Sequence, residues 1–333
     1  MNRAFATLAA GLLALAFVYG PGTSFAQDED VDPNWTAPRT PWGDPDLTGV
    51  FSSDDMRGVP LQRPEELGDR LYLTDEEFAE RQERNDAEVS RLDEGGTPFL
   101  SERGIRSYRQ TSMIVDPPNG RFPPLTPEGE AIRASIPPRG EAPPPASWLD
   151  LRLYDRCITR GVVGSVLPVI YGNGLRIFQT PDAVVINHEM VHEARIIHLD
   201  GRPHVDDAIR SYMGDPVGRW DGDTLVVETR NFRGETGIGL NGGGLPTTPA
   251  IMLTERFTRV AEHRIDYEVT VNDPGLYTAP FTIALPLTNQ PGYSVLPYEC
   301  HEGNFALPNI LSAARVEEAA AATEAEDGTT EAD

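Results

Sequence analysis

The second half of the chain alternates apolar and polar residues with the period of a β-strand. Between Arg264 and Asp273, an apolar side chain stands at every second position and polar ones stand between them. This period of two is typical of a strand with one buried face. Similar segments follow one another closely and are joined by short turns, so the sequence predicts an antiparallel meander. The predicted strands cover 175–180, 183–199, 223–232, 251–260, 264–273 and 277–287.

The first half of the chain predicts elements around this meander. A capping box at Thr74 opens a surface helix, and Pro127 suits the first turn of a second helix. The elements expected outside the meander are an N-terminal arm over 27–60, the helix over 75–92, the short helix after Thr126, a proline-rich strap over 137–147 and a C-terminal helix over 308–321.

Together these elements predict a mainly β fold. The meander is expected to close into a lipocalin-like barrel or a sandwich, with an N-terminal arm and peripheral helices. The predicted organisation is a signal peptide over 1–26, the arm, helix and strap over 27–150, the β domain with its C-terminal helix over 151–314, and an acidic tail over 315–333.

The N-terminus has the three parts of a secretory signal peptide. Arg3 supplies a positive charge, the run from Leu8 to Val18 is apolar, and a small-x-small cleavage site ends at Ala26. The apolar run is too short to span a membrane, and no later stretch approaches about 20 apolar residues. We therefore expect cleavage after Ala26 and a periplasmic or secreted protein without a membrane span.

Composition excludes several functions. The formal charge is -24, and all 28 basic residues are arginine because the chain has no lysine. An acidic chain repels a phosphate backbone, so nucleic acid is not an expected partner. The absence of lysine excludes Schiff-base chemistry on a lysine amine. The two cysteines, Cys157 and Cys300, predict a disulfide in an oxidising compartment.

A histidine-rich segment admits two interpretations. The string His188-Glu189-Met190-Val191-His192 matches the HExxH pattern of zinc proteases. On a helix, His188 and His192 would share a face and bind zinc, with Glu189 as general base. His198, ten residues after His188, would then be the third ligand.

A strand is the favoured interpretation of the same segment. It is rich in β-branched residues, and hairpin turns fit both of its flanks. It would be one bent strand or two strands broken near His192. Alternation would place His188 and His192 on one face and Glu189 and Arg195 on the other. Histidines four apart lie about 13 Å apart along a strand, so no cofactor is favoured and zinc belongs only to the helical alternative.

The predicted disulfide would gather a second set of polar residues. Pairing of Cys157 with Cys300 brings 153–161 close to 296–305. An arginine, a carboxylate, a tyrosine and a histidine together can bind a small molecule and move a proton, although the same set also fits a salt-bridged seam. The catalytic candidates are His188, Glu189, His192, Arg195, Tyr298 and His301, and the ligand-binding candidates are Asp155, Arg160 and Glu302.

Several motifs carry a resemblance to known sequences. The set "PWGDPDL", "RCITRG", "HEMVHEARII" and "CHEGN" resembles a large family of exported bacterial proteins to which no activity is attached. The resemblance implies that these motifs form one unit, and it carries over no catalytic residue. The pattern over 220–280 is also similar to small lipocalin-like barrels, which implies a fold and not a function.

The sequence thus favours an exported β-barrel protein whose partner is a small organic molecule. Acid–base chemistry of the hydrolase or lyase type is the candidate reaction. Two alternatives remain open. One is a zinc metallohydrolase that uses 188–192. The other is a non-catalytic envelope interaction protein that docks through Trp42 and the arm.

Overall fold

The chain folds as a mainly β protein, as the alternation predicted. In the computed structural model the described residues are 31–32, 34–94, 106–138, 141–289 and 292–330, so the predicted signal peptide lies outside them. The strands are β1 (Gly49–Ser52), β2 (Ile114–Asp116), β3 (Gly174–Thr180), β4 (Ala183–His188), β5 (Ala194–His198), β6 (Asp215–Asp221), β7 (Thr224–Arg230), β8 (Met252–Ala261), β9 (Arg264–Asn272) and β10 (Phe281–Thr288).

Nine of these strands close into a barrel. The order around it is β1-β3-β4-β5-β6-β7-β8-β9-β10, and the pair Ser52–Thr288 joins β10 to β1. β2 pairs with β10 as an additional strand. The neighbours are antiparallel except β5 and β6, which are parallel and share the pair His198–Val217. The barrel predicted from the sequence is therefore confirmed, with one parallel step in its wall.

Alternation sets the interior of the barrel. In β9, Ile265, Tyr267, Val269 and Val271 are at most 1% exposed, whereas the polar residues between them are half-buried. Burying apolar side chains stabilises a fold by roughly 25 cal/mol per Å² of surface removed from water. An Asp-Gly hairpin turn joins β6 to β7, and Gly222 adopts the positive φ of 60° that such a tight turn requires.

The N-terminal arm contributes to the barrel wall. β1 lies between β3 and β10, and it buries Phe51 in the interior. Leu47 is also buried, while Trp42 stays exposed. The residues before 60 and those after 151 therefore form one folded unit.

Helices accompany the barrel, and the shortest of them is wholly buried. The predicted capping box is present, because Thr74 N donates to Glu77 Oε2 at 2.9 Å and Glu77 N donates to Thr74 Oγ1 at 3.3 Å. Within the described part of the chain, none of the helices is both long and apolar enough to cross a membrane. They are α1 (Asp75–Glu94), α2 (Pro127–Ser135), α3 (Gly161–Gly164) and α4 (Ala306–Thr330), the last of which extends beyond the predicted 308–321.

The histidine-rich segment consists of two strands that are broken near His192. β4 ends at His188, a short 3-10 turn spans Met190–His192, and β5 begins at Ala194. Val191 and His192 have φ values of 64° and 42°, which a β-branched valine rarely adopts. The helical alternative for 183–199 is therefore wrong, and the strand interpretation is confirmed.

The turn also changes which residues share a face. Had the strand continued, His188 and Arg195 would lie on opposite faces, because they are an odd number of positions, seven, apart. Instead the side chains of His188 and Arg195 are both buried, whereas Ala194 and Ile196, the two neighbours of Arg195 in the chain, are exposed. The expected face assignment of Arg195 is therefore wrong, since the turn shifts the phase of the alternation.

The predicted disulfide is present. Cys157 and Cys300 are bonded, with Cα atoms 5.8 Å apart across 143 residues of sequence. The bond joins the loop before α3 to the segment that follows β10. It therefore ties the C-terminal part of the chain to the end of the barrel where β4 turns into β5.

Candidate functional site

Ionisable side chains are concentrated where β4 turns into β5. We call Arg160, His188, Glu193, Arg195 and Glu255 the polar cluster. His188 ends β4, Arg195 lies in β5 and Glu255 lies in β8. Glu193 lies in the connection between β4 and β5, and Arg160 directly precedes α3. All but Glu193 are almost completely buried. Buried charges are rare in proteins unless they are paired or functional.

Arg195 and Glu255 form an ion pair inside the barrel. Arg195 Nη1 donates to Glu255 Oε1 at 3.0 Å, and Nη2 donates to Oε2 at 2.6 Å. The two side chains are 1% and 0% exposed. Tyr267 donates its hydroxyl to Glu255 Oε1 at 3.0 Å, and Thr229 Oγ1 lies 3.4 Å from Arg195 Nη2. The bidentate geometry and these extra hydrogen bonds compensate both charges.

His188 is a buried neutral imidazole. Neither ring nitrogen has a hydrogen-bond partner among the described residues. Burial lowers the pKa of His188 to about 3, and the positive charges of Arg195 and Arg160 act in the same direction. The ring therefore stays uncharged at neutral pH and keeps one donor and one acceptor unused.

Glu193 differs from an ordinary surface carboxylate. Thr159 Oγ1 donates to its Oε2 at 2.6 Å. Burial raises the pKa of the carboxyl group, and this effect exceeds the opposing effects of the Thr159 hydrogen bond and of Arg195. The backbone places this group beside the histidine, because His188 N donates to the carbonyl of Glu193 at 2.9 Å.

A cleft in the barrel wall reaches two members of the polar cluster. β5 and β6 share the pair His198–Val217, and toward the start of β5 the two segments separate. The cleft between them has a volume of about 430 Å³ and is lined by Glu193 and Arg195 on one side and by 211–214 and Pro216 on the other. This volume falls in the range of small-molecule sites.

Arg160 is buried at the end of the barrel where its charge acts on His188. Its Nη2 donates to the carbonyl of Leu167 at 3.3 Å, but Nε and Nη1 have no hydrogen-bond partner among the described residues. Burial lowers the pKa of Arg160 to about 10, and nearby Tyr154 and Tyr298 oppose that effect. Thr159, the residue before it, holds Glu193, so Arg160 belongs to the same end of the barrel.

The HExxH residues lie on two sides of the barrel wall, because His188 is inside whereas Glu189 and His192 line one cleft of about 520 Å³ on the outside. His188 faces the barrel interior. Glu189 is buried beneath the C-terminal segment, where it accepts a hydrogen bond of 2.7 Å from Leu296 N. His192 is exposed, and its Nδ1 donates to the carbonyl of Tyr298 at 2.8 Å. Because the turn places these side chains on different sides of the wall, they do not converge on one point.

The zinc site of the helical alternative is therefore not formed. His188 is inside the barrel and His192 is outside it, and His198 ends β5 next to β6. Over the described ranges, no group of three or more His, Cys, Asp or Glu side chains is placed to hold a metal ion. The spacing of these histidines predicts a zinc site only on a helix, where residues four positions apart share one face. The backbone between them is not helical, so the spacing does not bring them together.

The disulfide brings only part of the second predicted set to the site. Tyr298 is half-buried and hydrogen-bonded to Tyr154 and Tyr171, and burial raises its pKa. Asp155, His301 and Glu302 are exposed. Arg160 is thus the one predicted ligand-binding residue that lies in the polar cluster.

Sequence reasoning missed Glu193, Glu255 and Thr159. The burial of Glu255 can be predicted from the sequence, because Glu255 lies two positions from both Leu253 and Phe257, which face the core. A carboxylate in phase with apolar positions of one strand indicates burial. Glu193 and Thr159 lie in turns, where alternation carries no information.

Comparison with known proteins adds no relative to this description. No protein-family model matches the chain, and no curated protein and no solved structure shows significant similarity to it.

Proposed function

We propose that this chain is an exported β-barrel protein that binds a small organic molecule in the cleft between β5 and β6. One observation carries the proposal. Glu193, whose pKa is raised by burial, lines this cleft, and its carbonyl accepts a hydrogen bond from the backbone N of His188, whose pKa is lowered by burial. Ionisable groups whose pKa values are shifted by burial beside a cleft are typical of ligand and acid–base sites.

Each group has a distinct role in this proposal. Glu193 keeps its proton at a pH where an ordinary glutamate has lost it, so it can donate that proton to a bound ligand. His188 is too weak a base to gain a proton at neutral pH, and it acts as a hydrogen-bonding group. The pair of Arg195 and Glu255 fixes the position of β5 and keeps the charge of Arg195 in place behind the cleft.

A reaction at this site would use the proton of Glu193. In hydrolysis, the protonated Glu193 carboxyl group can donate its proton to the leaving group as the bond to that group breaks and water adds in its place, and the carboxylate then takes the proton that this water releases. In elimination, the carboxylate would instead take the proton that the ligand loses from the neighbouring carbon. This is the acid–base chemistry that we propose if the ligand is transformed. Export is supported by the disulfide between Cys157 and Cys300, a type of bond typical of oxidising compartments.

Blocking the cleft tests the proposal. Ala194 is exposed and lines the cleft, so Ala194→Trp fills it without disturbing the core. Ala313→Trp, at an exposed position on α4, is the matched control. Melting temperatures are measured with a panel of small organic acids, amides, alcohols and sugars.

The expected result is that one or more compounds raise the melting temperature of the wild type and of Ala313→Trp, but not that of Ala194→Trp. Retained binding in Ala194→Trp would place the ligand elsewhere. A panel without any stabilising compound would contradict the proposal and favour the non-catalytic interaction protein.

A further inference from the structure

We infer that the ligand of the cleft between β5 and β6 is a short peptide in extended conformation, which pairs with the backbone of β5. This inference rests on the proposed function and deepens it by naming the class of ligand. A gap in the hydrogen bonding of the barrel wall carries it. Within the described part of the chain, β5 pairs with β6 at His198–Val217 alone, so the rest of that edge of β5 faces the cleft.

Hydrogen bonds to β4 show which backbone groups of β5 face the cleft. Leu199 N donates to the carbonyl of Asp182 at 2.8 Å, and the carbonyl of Glu193 accepts a bond of 2.9 Å from the last residue of β4. Successive residues of a strand direct their N–H and C=O groups to opposite edges. The odd-numbered residues of this stretch therefore pair with β4, and Ala194 and Ile196 direct theirs toward β6.

These groups form an open strand edge. Among the described residues, no hydrogen bond joins the backbone N–H or C=O of Ala194 or Ile196 to another part of the chain. Both residues are exposed and line the cleft, so two donors and two acceptors are accessible to a ligand. We call these four groups the free edge of β5. Proteins usually cover such an edge, and one that is left open can bind an added strand.

The sequence of β6 explains why the ladder stops. In a parallel ladder the next bond toward the start of β5 would run from the nitrogen of residue 216 to the Ile196 carbonyl. This residue is Pro216, which has no N–H. The bond after it would need the carbonyl of Gly214, which instead accepts from Ser211 Oγ at 3.0 Å. The cleft is therefore kept open by β6 itself and by the residues just before it.

An extended peptide matches this edge. Its N–H and C=O groups repeat every two residues on one side, as do those of Ala194 and Ile196, so one strand can bond to both residues. Peptide side chains on the outer face would contact Ile196, which is 52% exposed. Pairs of β-branched side chains on neighbouring strands stabilise a sheet, so we expect valine at those positions. The cleft of about 430 Å³ suits a few residues.

Amide hydrogen exchange tests the free edge without any ligand. The N–H of Ile196 faces the cleft, whereas Ile197 pairs with Val184 of β4. In the full chain, we expect the amides of Ala194 and Ile196 to exchange roughly a hundredfold faster than that of Ile197. Equal protection of Ile196 and Ile197 would show that the edge is already paired and would overturn the inference. Protection that grows with protein concentration would identify a second copy of the chain as the occupant, and would also overturn it.

Capped tripeptides test the ligand. The probes are acetyl-Val-Xaa-Val-methylamides with Ala, Ser, Glu or Arg at the centre, titrated calorimetrically into the full chain. Two analogues of each carry N-methyl groups, either on the middle residue or on both outer residues. Since alternate amides of a strand face opposite edges, we expect at least one tripeptide to bind and to protect the Ala194 and Ile196 amides. N-methylation of the residues that face β5 should weaken its binding about tenfold or more.

Two variants test the same bonds from the side of the protein. Ile196→Pro removes an N–H that faces the cleft, a position at which a strand tolerates proline. The control Ile196→Ala removes the side chain and keeps the N–H. We expect Ile196→Pro to weaken peptide binding about tenfold or more relative to Ile196→Ala. If Ile196→Pro fails to fold, Ala194→Pro and the N-methylated peptides make the same test.

The outcomes separate this inference from the proposed function. If none of the tripeptides binds, if both N-methylated analogues bind as tightly as the parent, or if Ile196→Pro binds as tightly as Ile196→Ala, the peptide inference is overturned. The proposed function then still stands when a compound of the small-molecule panel stabilises the wild type and not Ala194→Trp. It falls as well when no compound of that panel does so.

Discussion

The ion pair in the barrel can be tested by removing one charge and then both. Arg195→Met keeps most of the side-chain volume and leaves Glu255 buried without its cation. Glu255 is 0% exposed, so water cannot replace the lost partner. Breaking a buried pair in this way costs about 3–5 kcal/mol. Because Tyr267 still donates to Glu255, we expect the lower end, about 3 kcal/mol.

The double variant Arg195→Met, Glu255→Gln removes the uncompensated charge. The glutamine oxygen can still accept from Tyr267, so we expect it to recover more than half of the stability lost in Arg195→Met. These two variants and the single variant Glu255→Gln are compared with the wild type by urea unfolding at pH 7 with the disulfide intact. In melting experiments, about 3 kcal/mol corresponds to a decrease of roughly 6–12 °C.

Two results would refute this reasoning. A loss below about 1 kcal/mol in Arg195→Met would be the size of an exposed ion pair, and the pair would then be hydrated. A double variant as unstable as the sum of the two single variants would show that the charges do not interact.

Three other predictions concern the same end of the barrel. The pKa of Glu193 is raised in the folded protein, so the contribution of this group to stability is complete below its unfolded pKa of 4.5 and is lost as pH rises through its folded pKa. Glu193→Gln should therefore reduce the decline of the urea midpoint with pH above pH 4.5. An unchanged dependence of the midpoint on pH would contradict this prediction. Replacing Cys157 and Cys300 by serine opens a loop of 143 residues and should cost about 5 kcal/mol of unfolding free energy, and a loss below about 1 kcal/mol would count against it. Gly242→Ala places a methyl group against the Arg160 carbonyl, whereas Gly244→Ala, also at positive φ, meets only contacts of 3.7 Å or longer, so Gly242→Ala should lower the melting temperature more.

The barrel could be predicted from the sequence because, within an uninterrupted strand, every second residue faces the same side of the sheet. The strand over 264–273 is found as β9, and its buried residues are the apolar ones. The same phase in β8 buries Glu255 between Leu253 and Phe257. Its partner Arg195 is 60 residues away, and nothing local in either strand identifies the pair. Long-range pairing of charges is therefore the part that a single sequence leaves open.

The site was harder to predict because a turn resets the alternation. The five residues between β4 and β5 contain no glycine or proline, and Val191 adopts positive φ there. Without that signal, alternation predicts Arg195 on the face opposite His188, and Glu193 is not among the predicted site residues. His188, Arg195, Arg160 and Tyr298 could still be proposed from residue type and from the disulfide, but their arrangement depends on the turn.

The protonation of His188 tests this arrangement most directly. Long-range ¹H–¹⁵N spectra of the imidazole rings are recorded from pH 8 to pH 3, and the His188 signals are assigned by their loss in His188→Gln. If His188 lies inside the barrel beside Arg195 and Arg160, its ring stays neutral and titrates only near pH 3. A titration near the ordinary value of 6.5 would show that the ring is in water, and neither the polar cluster nor the site proposed around it would then exist.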